Sequence, residues 1–116
     1  MFRFEDLKIW QLAIRYADKV YDFANTLSKE ELFGLSSQLK RASVSIATNI
    51  AEGSGGTTNK DFCNFLNIAI KSALETVSLL FFCKERKFIS DELLKEIYQD
   101  AELLVIKINA FKKTIN

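Results

Sequence analysis

One stretch of the chain sets side chains of complementary chemistry at helical spacing. Gln38, Arg41, Ser45, Asn49 and Glu52 recur at steps of three or four residues, so on a helix they fall into one polar row. The row offers two amides, a guanidinium, a hydroxyl and a carboxylate. Such a set can line a groove for a partner or brace one helix against the next. On most amphipathic helices it is the solvated flank of the apolar stripe. Glu75 is the matching group on a later segment. It stands close to apolar Leu74 and Val77. A carboxylate buried there needs a cation, and Arg41 or Lys40 is the expected partner.

Other chemistries find little support. The chain has no His, hence no imidazole for general base work, for activating a Ser or Cys nucleophile, or for a di-iron bundle site. Glu52 and Glu75 are the only carboxylates on core-adjacent faces, and nothing in the spacing brings both to a pocket, so no enzymatic activity is expected. Gly53-Ser54-Gly55-Gly56 follows a helical pattern rather than a strand and lacks the Gly-Lys-Ser/Thr ending of a phosphate loop. What remains there is a helix–helix connection, with Thr57, Thr58 and the free N–H groups of the next helix as an anion-binding option. Cys63 and Cys83 fall on one predicted helix, about 30 Å apart, far beyond disulfide reach. With no CxxC, no metal or other cofactor is expected.

The basic residues are scattered. Lys and Arg number 16 against 15 acids, a net charge of +1, so the chain lacks the strong positive charge common in nucleic-acid binders. Lys40 and Arg41, the run Lys84, Arg86 and Lys87, and the pair Lys112–Lys113 are the candidate RNA or DNA contacts. The last two groups end adjacent antiparallel helices, which puts them at opposite ends of a bundle. Only repetition around an oligomer axis would multiply such small patches.

The elements that must position these groups are helical throughout. The 116 residues are 48% hydrophobic, with no Pro and four Gly, enough for one domain spanning residues 1–116. The first helix is predicted over Asp6 to Leu27. Ser28 to Glu31 matches a capping box for a second helix reaching Glu52, with core stripe Leu35, Leu39, Ala42, Ile46 and Ile50 and a weak point at Gly34. Gly53 is expected just past its end, as the C′ residue. Thr58 or Asn59 caps a third helix of about 27 residues ending near Glu85, and Ser90 caps a fourth. Their apolar residues repeat at coiled-coil spacing: Phe62, Leu66, Ala69, Ala73, Thr76, Leu80 and Cys83, then Leu94, Ile97, Ala101, Leu104, Ile108, Phe111 and Ile115. Short connections make the expected fold an all-α, antiparallel, up-down-up-down four-helix bundle. The charged N-terminus is no signal peptide, and the apolar run Val77 to Cys83 is far short of a span of about 20 residues. A cytoplasmic protein with no membrane partner is expected.

The first helix carries two apolar stripes side by side. Leu7, Trp10, Ile14, Ala17, Tyr21 and Ala24 form one, and Ile9, Ala13, Tyr16, Val20, Phe23 and Leu27 the other. Together they exceed what one face of a monomeric bundle hides. A second copy of the chain is the simplest cover, with Trp10, Tyr16 and Phe23 as the candidate oligomer interface.

The run from Gln38 to Gly55 resembles a known signature. Ser45-Ile46, Asn49-Ile50-Ala51-Glu52-Gly53, then Phe62, Phe65-Leu66, Ile68-Ala69 and Ser72 to Glu75, with Phe4 to Leu7 and Trp10 at the start, match the bacterial four-helix bundle proteins found in 23S ribosomal RNA intervening sequences. These are also described as ribosomal-protein-like, and the similarity spans nearly the whole chain. The resemblance implies a left-handed bundle assembled as a homopentamer, and it does not imply an enzymatic activity. It also implies kinship with accessory proteins of diversity-generating retroelements, which bind a protein partner and nucleic acid through a basic surface. This chain departs from its relatives at Gly56, where they often carry Arg, and in its near-neutral charge. The expected function is that of an oligomeric binding scaffold, with an RNA- or DNA-binding accessory protein as the alternative.

Overall fold

The computed structural model describes residues 1–56 and 58–116; the part of the anion-site expectation that rests on Thr57 falls outside them. Four helices follow one another: α1 over Lys8–Ala24, α2 over Ser37–Ser54, α3 over Asn59–Glu85 and α4 over Asp91–Ile115. They form the expected all-α four-helix bundle, about 43 Å long and 23 by 21 Å across. Each helix packs on the two that flank it, α1 on α2, α2 on α3, α3 on α4 and α4 back on α1.

Local chemistry explains where the helices begin. Thr58 accepts a hydrogen bond on its hydroxyl from the Asp61 N–H at 3.0 Å, and Ser90 accepts one from the Leu93 N–H at 3.1 Å. Both satisfy an otherwise orphaned donor of a first turn. The Ser28 capping box does not form. A 3-10 turn over Lys29–Glu31 and a wide π-type turn over Leu32–Ser36 precede α2 instead. Gly34 breaks the helical path there with φ −107° and ψ −108°. The helix resumes once Leu35 and Ser36 are buried, with the Ser36 hydroxyl donating to the Ala24 carbonyl. At the N-terminus α1 begins at Lys8 rather than Asp6, and a 3-10 turn over Arg3–Asp6 precedes it. It packs the Phe4 ring edge-on to Trp10 at 4.9 Å and lays Arg3 over Phe62 at 5.1 Å.

Two helix ends differ from expectation. Gly53 is not a C′ residue: α2 runs through it to Ser54, and no glycine has positive φ. Gly53 serves close packing, since a Cβ there would come within 2.8 Å of both Phe62 Cδ1 and Phe65 Cβ. Among the described residues the left-handed one is Lys87, φ 62°, just past α3. Its N–H donates to the Lys84 carbonyl, and the Phe88 N–H reaches back to the Cys83 carbonyl at 2.8 Å. This is the Schellman closure usually built on glycine.

The core stripes predicted for α2, α3 and α4 are buried as far as Ile108, with Phe111 and Ile115 half-buried at the end of α4. The first helix corrects the expected oligomer interface. Tyr16 and Phe23 are each 3% exposed within the single chain, because α1 packs against both α2 and α4 and its second stripe lies in the core. Trp10 is half-buried. The stripe left outside is the other one, at Ile14 and Tyr21. The Tyr16 hydroxyl hydrogen-bonds Thr76 Oγ1 at 2.8 Å in the core, and burial pushes its pKa up to about 12. Burial, with Glu31 adding to it, pushes the Cys83 thiol up to about 11. Taken over its whole length, α3 is the one described helix long and apolar enough to cross a membrane by length and composition, a longer apolar element than Val77 to Cys83 alone suggested. In this fold its stripe from Phe62 to Cys83 fills the bundle core.

Candidate functional site

The polar row of α2 forms as spaced and meets α3. Ser45 Oγ and Ser72 Oγ share a hydrogen bond of 3.0 Å between the two helices. The Asn49 side-chain amide donates to the Ser45 carbonyl at 2.8 Å and to Ser45 Oγ at 2.9 Å. This half-buried triplet is a brace, its hydroxyls and the Asn49 amide N–H groups bonded within it. Gln38, Arg41 and Glu52 are exposed around it.

Two open concavities share this row. One, of about 390 Å³ on the α2–α3 side, is lined by Gln38, Arg41, Ala42, Ser45, Ser72 and Glu75. The other, of about 680 Å³, runs the length of α2 on the α1 side. Tyr21, Leu32, Phe33 and Val44 supply its apolar part, and Lys40, Arg41 and Glu52 its charges. Arg41 borders both.

Glu75 departs from expectation. It lines the same cleft as Arg41, yet the ion pairs among the described residues are Lys19 with Glu96 and Asp100, and Lys84 with Asp91. Glu75 is exposed, so water solvates it and no buried cation is required. Lys40 instead donates to Asn25 Oδ1 at 2.7 Å and lies 5.1 Å over the Tyr21 ring.

The other basic candidates remain apart. Lys84, Arg86 and Lys87 are exposed where α3 ends, and Lys112 and Lys113 lie in the last turn of α4, at the other end of the bundle. Lys112 is also engaged with Asn67. A single chain therefore gathers no continuous basic face from these residues. Among the described residues no group of three His, Cys, Asp or Glu side chains is placed to hold a metal ion.

Comparison with known proteins decides the family. The family model for 23S rRNA-intervening sequence proteins matches residues 5–110. The chain belongs to that family. A crystal structure of a protein of unknown function from the S23 ribosomal protein family of Bacteroides thetaiotaomicron is similar to it, with a TM-score of 0.83 and 26% identity over 90% of this chain and 98% of that one. No curated protein matches the sequence.

Within this 23S rRNA-intervening sequence protein, the stretch from Ser45 to Gly53 has a visible structural purpose. Ser45, held by Asn49, ties α2 to α3 through Ser72, and Gly53 lets the Phe62 ring and the Phe65 Cβ approach the α2 backbone. Glu52, in the same stretch, makes no ion pair among the described residues and stays exposed.

Sequence reasoning missed the surface between α3 and α4. Leu74 and Ile106 are 59% and 62% exposed there. With Ala73, Val77, Tyr98, Ala101 and Val105 they line a groove of about 260 Å³ with Glu102 beside it. The signal was present: both residues are large apolar groups that fall off the coiled-coil stripe of their own helix.

Proposed function

We propose that this protein is a non-enzymatic four-helix bundle that assembles with copies of itself and acts as a binding scaffold. The observation that supports it is the apolar groove between α3 and α4, whose exposed Leu74 and Ile106 a solitary chain leaves in water. The expected interface on Tyr16 and Phe23 no longer supports it, since both fill the core. Five copies is the number that the family resemblance suggests. The polar cleft of Gln38, Arg41, Ser45, Ser72 and Glu75 would then repeat around the assembly as the surface offered to a partner.

Static light scattering at micromolar concentration tests the assembly. The expected mass is five times the 13.3 kDa of the chain, and a monomer overturns the proposal. An RNA or DNA partner is tied to assembly, because the separated basic groups come together only by repetition. Filter binding at low salt is expected to weaken as salt is added. Assembled protein that retains no nucleic acid at low salt leaves the scaffold with a protein partner.

A further inference from the structure

The cleft between α2 and α3 offers more hydrogen bonds than the chain itself takes up. On its α2 wall Gln38, Arg41 and Ser45 follow one another a helical turn apart, with buried Ala42 beneath them. On its α3 wall Ser72 and Glu75 are likewise a turn apart. The Ser45–Ser72 hydrogen bond of 3.0 Å joins the two walls. The space between them, about 390 Å³, opens to water.

Two kinds of group there lack a partner. The first is a hydroxyl proton. Both serines take part in the brace, yet they bring two protons and the bond between them engages one. Asn49 meets Ser45 with its amide N–H groups and takes up no hydroxyl proton. Neither serine turns back to a carbonyl of its own helix, as Ser43, Thr48, Ser54 and Thr76 do. Ser72 is only 9% exposed. Both serines line the cleft, so the spare O–H belongs to it whichever of them carries it. The second is a pair of opposite charges. Lys19 closes on Glu96 and Asp100 where α1 meets α4. Arg41 and Glu75 stand on facing walls and make no ion pair among the described residues. Cation–π contacts among those residues belong to Arg3, Lys40 and Arg86, not to Arg41.

We propose that this cleft binds a small amino carboxylate, a free amino acid in its zwitterionic form. The lining presents a fork of cationic donors, a neutral O–H donor and, on the opposite wall, an anionic acceptor, and its charges sum to zero. A ligand that is only anionic, as a phosphate is, meets Glu75 as a like charge, and one that is only cationic meets Arg41. A carboxylate and an ammonium on one small molecule suit all three groups. The carboxylate accepts from the Arg41 guanidinium in the bidentate manner and from the spare serine O–H, while the ammonium donates to Glu75. The amide of Gln38, a turn from Arg41, adds a donor and an acceptor at the rim. The link between Ser45 and Ser72 holds both hydroxyls in place before a ligand arrives. This assignment rests on the reading of the polar cleft as a binding surface. It does not rest on assembly, because every lining residue comes from one chain.

Titration of the full-length protein with glycine, β-alanine and γ-aminobutyrate, followed by proton–nitrogen NMR, tests this. The series lengthens the gap between the two charged ends. Acetate and ethylammonium, each carrying one end only, are the controls. At least one of the three zwitterions is expected to give saturable shifts of the Ser45 and Ser72 amides and of the Arg41 Nε–H, in the millimolar range for a ligand of so few atoms. Either control is expected to bind about tenfold more weakly or not at all. Arg41→Gln and Glu75→Gln, checked for folding by circular dichroism, are each expected to weaken binding about tenfold or more. No saturable shift with any of the three overturns the assignment. So does acetate binding as well as the zwitterions, or Glu75→Gln binding as well as the wild type. Light scattering on the same samples separates this from the scaffold reading. A monomer that binds overturns assembly and supports the cleft, and an assembled protein that shows no shift overturns the cleft assignment alone.

Discussion

The second apolar stripe of α1 and the strip between α3 and α4 are made of similar residues, yet the fold treats them in opposite ways. Ile9, Ala13, Tyr16, Val20 and Phe23 are all buried within the one chain. Leu74, Phe81, Tyr98 and Ile106 are left between 38% and 62% exposed. The difference is position. The α1 stripe faces the axis shared by four helices, where any apolar side chain finds neighbours. The α3–α4 strip lies outside the coiled-coil seams that already hold those helices together. Hydrophobicity signals that a surface seeks cover, and the seams decide whether the chain supplies it.

The largest effect expected from this contrast is in stability. Phe23→Ala removes a ring from a packed core and should cost about 3–5 kcal/mol, read as a fall in the urea midpoint. Ile106→Ala at a protein concentration where the wild type is monomeric should change the midpoint by no more than about 0.5 kcal/mol. Equal losses at the two sites would mean that Ile106 is covered in the monomer and would erase the distinction.

The next effect sharpens the α1 side through pH. Tyr16 keeps its proton to about pH 12 in the folded chain, against an ordinary value of 10.0. Between those values the unfolded chain has released this proton and the folded chain still holds it. The Tyr16 contribution is therefore intact below pH 10 and is lost as pH rises towards 12, by about 3 kcal/mol, while Cys83, whose ordinary value is 9.0, begins its loss a unit lower. Cys83, raised to about 11, and Lys19, raised by its hydrogen bonds to Asp100 and Glu96, act in the same direction, the exposed lysine weakly. Tyr16→Phe should flatten much of the alkaline slope. It should also lose about 1 kcal/mol at neutral pH with the hydrogen bond to Thr76. A slope unchanged in Tyr16→Phe would move the alkaline sensitivity away from the α1 core.

Much of this architecture was legible in the residues. The stripes of α2, α3 and α4, the Thr58 and Ser90 caps and the weak point at Gly34 follow from periodicity and side-chain chemistry that act within a turn or two. What failed required knowledge of neighbours. Periodicity gave α1 two stripes without saying which faces inward. Ser28 to Glu31 has the residues of a capping box, but the turn at Gly34 delays the helix they would cap. Gly53 looked like a helix terminator, and only the Phe62 ring and the Phe65 Cβ reveal why a side chain is excluded there. In the candidate site, the spacing of Gln38, Arg41, Ser45, Asn49 and Glu52 was readable, and the Ser45–Ser72 link that ties it to α3 was not.

Glu75 shows the same limit and gives the smallest expected effect. Its position beside Leu74 suggested burial, but Leu74 is itself among the exposed residues of the α3–α4 strip. An apolar neighbour argues for burial only where that neighbour is inside, and one helical step from the seam is enough to leave both in water. Glu75→Ala should therefore change the stability of the monomer by no more than about 0.5 kcal/mol in urea titration. If Glu75 compensated a buried cation, the loss would be about 3–5 kcal/mol. Such a loss would mean that Arg41 and Glu75 close on each other in solution, and the polar cleft would then be a brace like Ser45 and Asn49 rather than a surface free to take a partner.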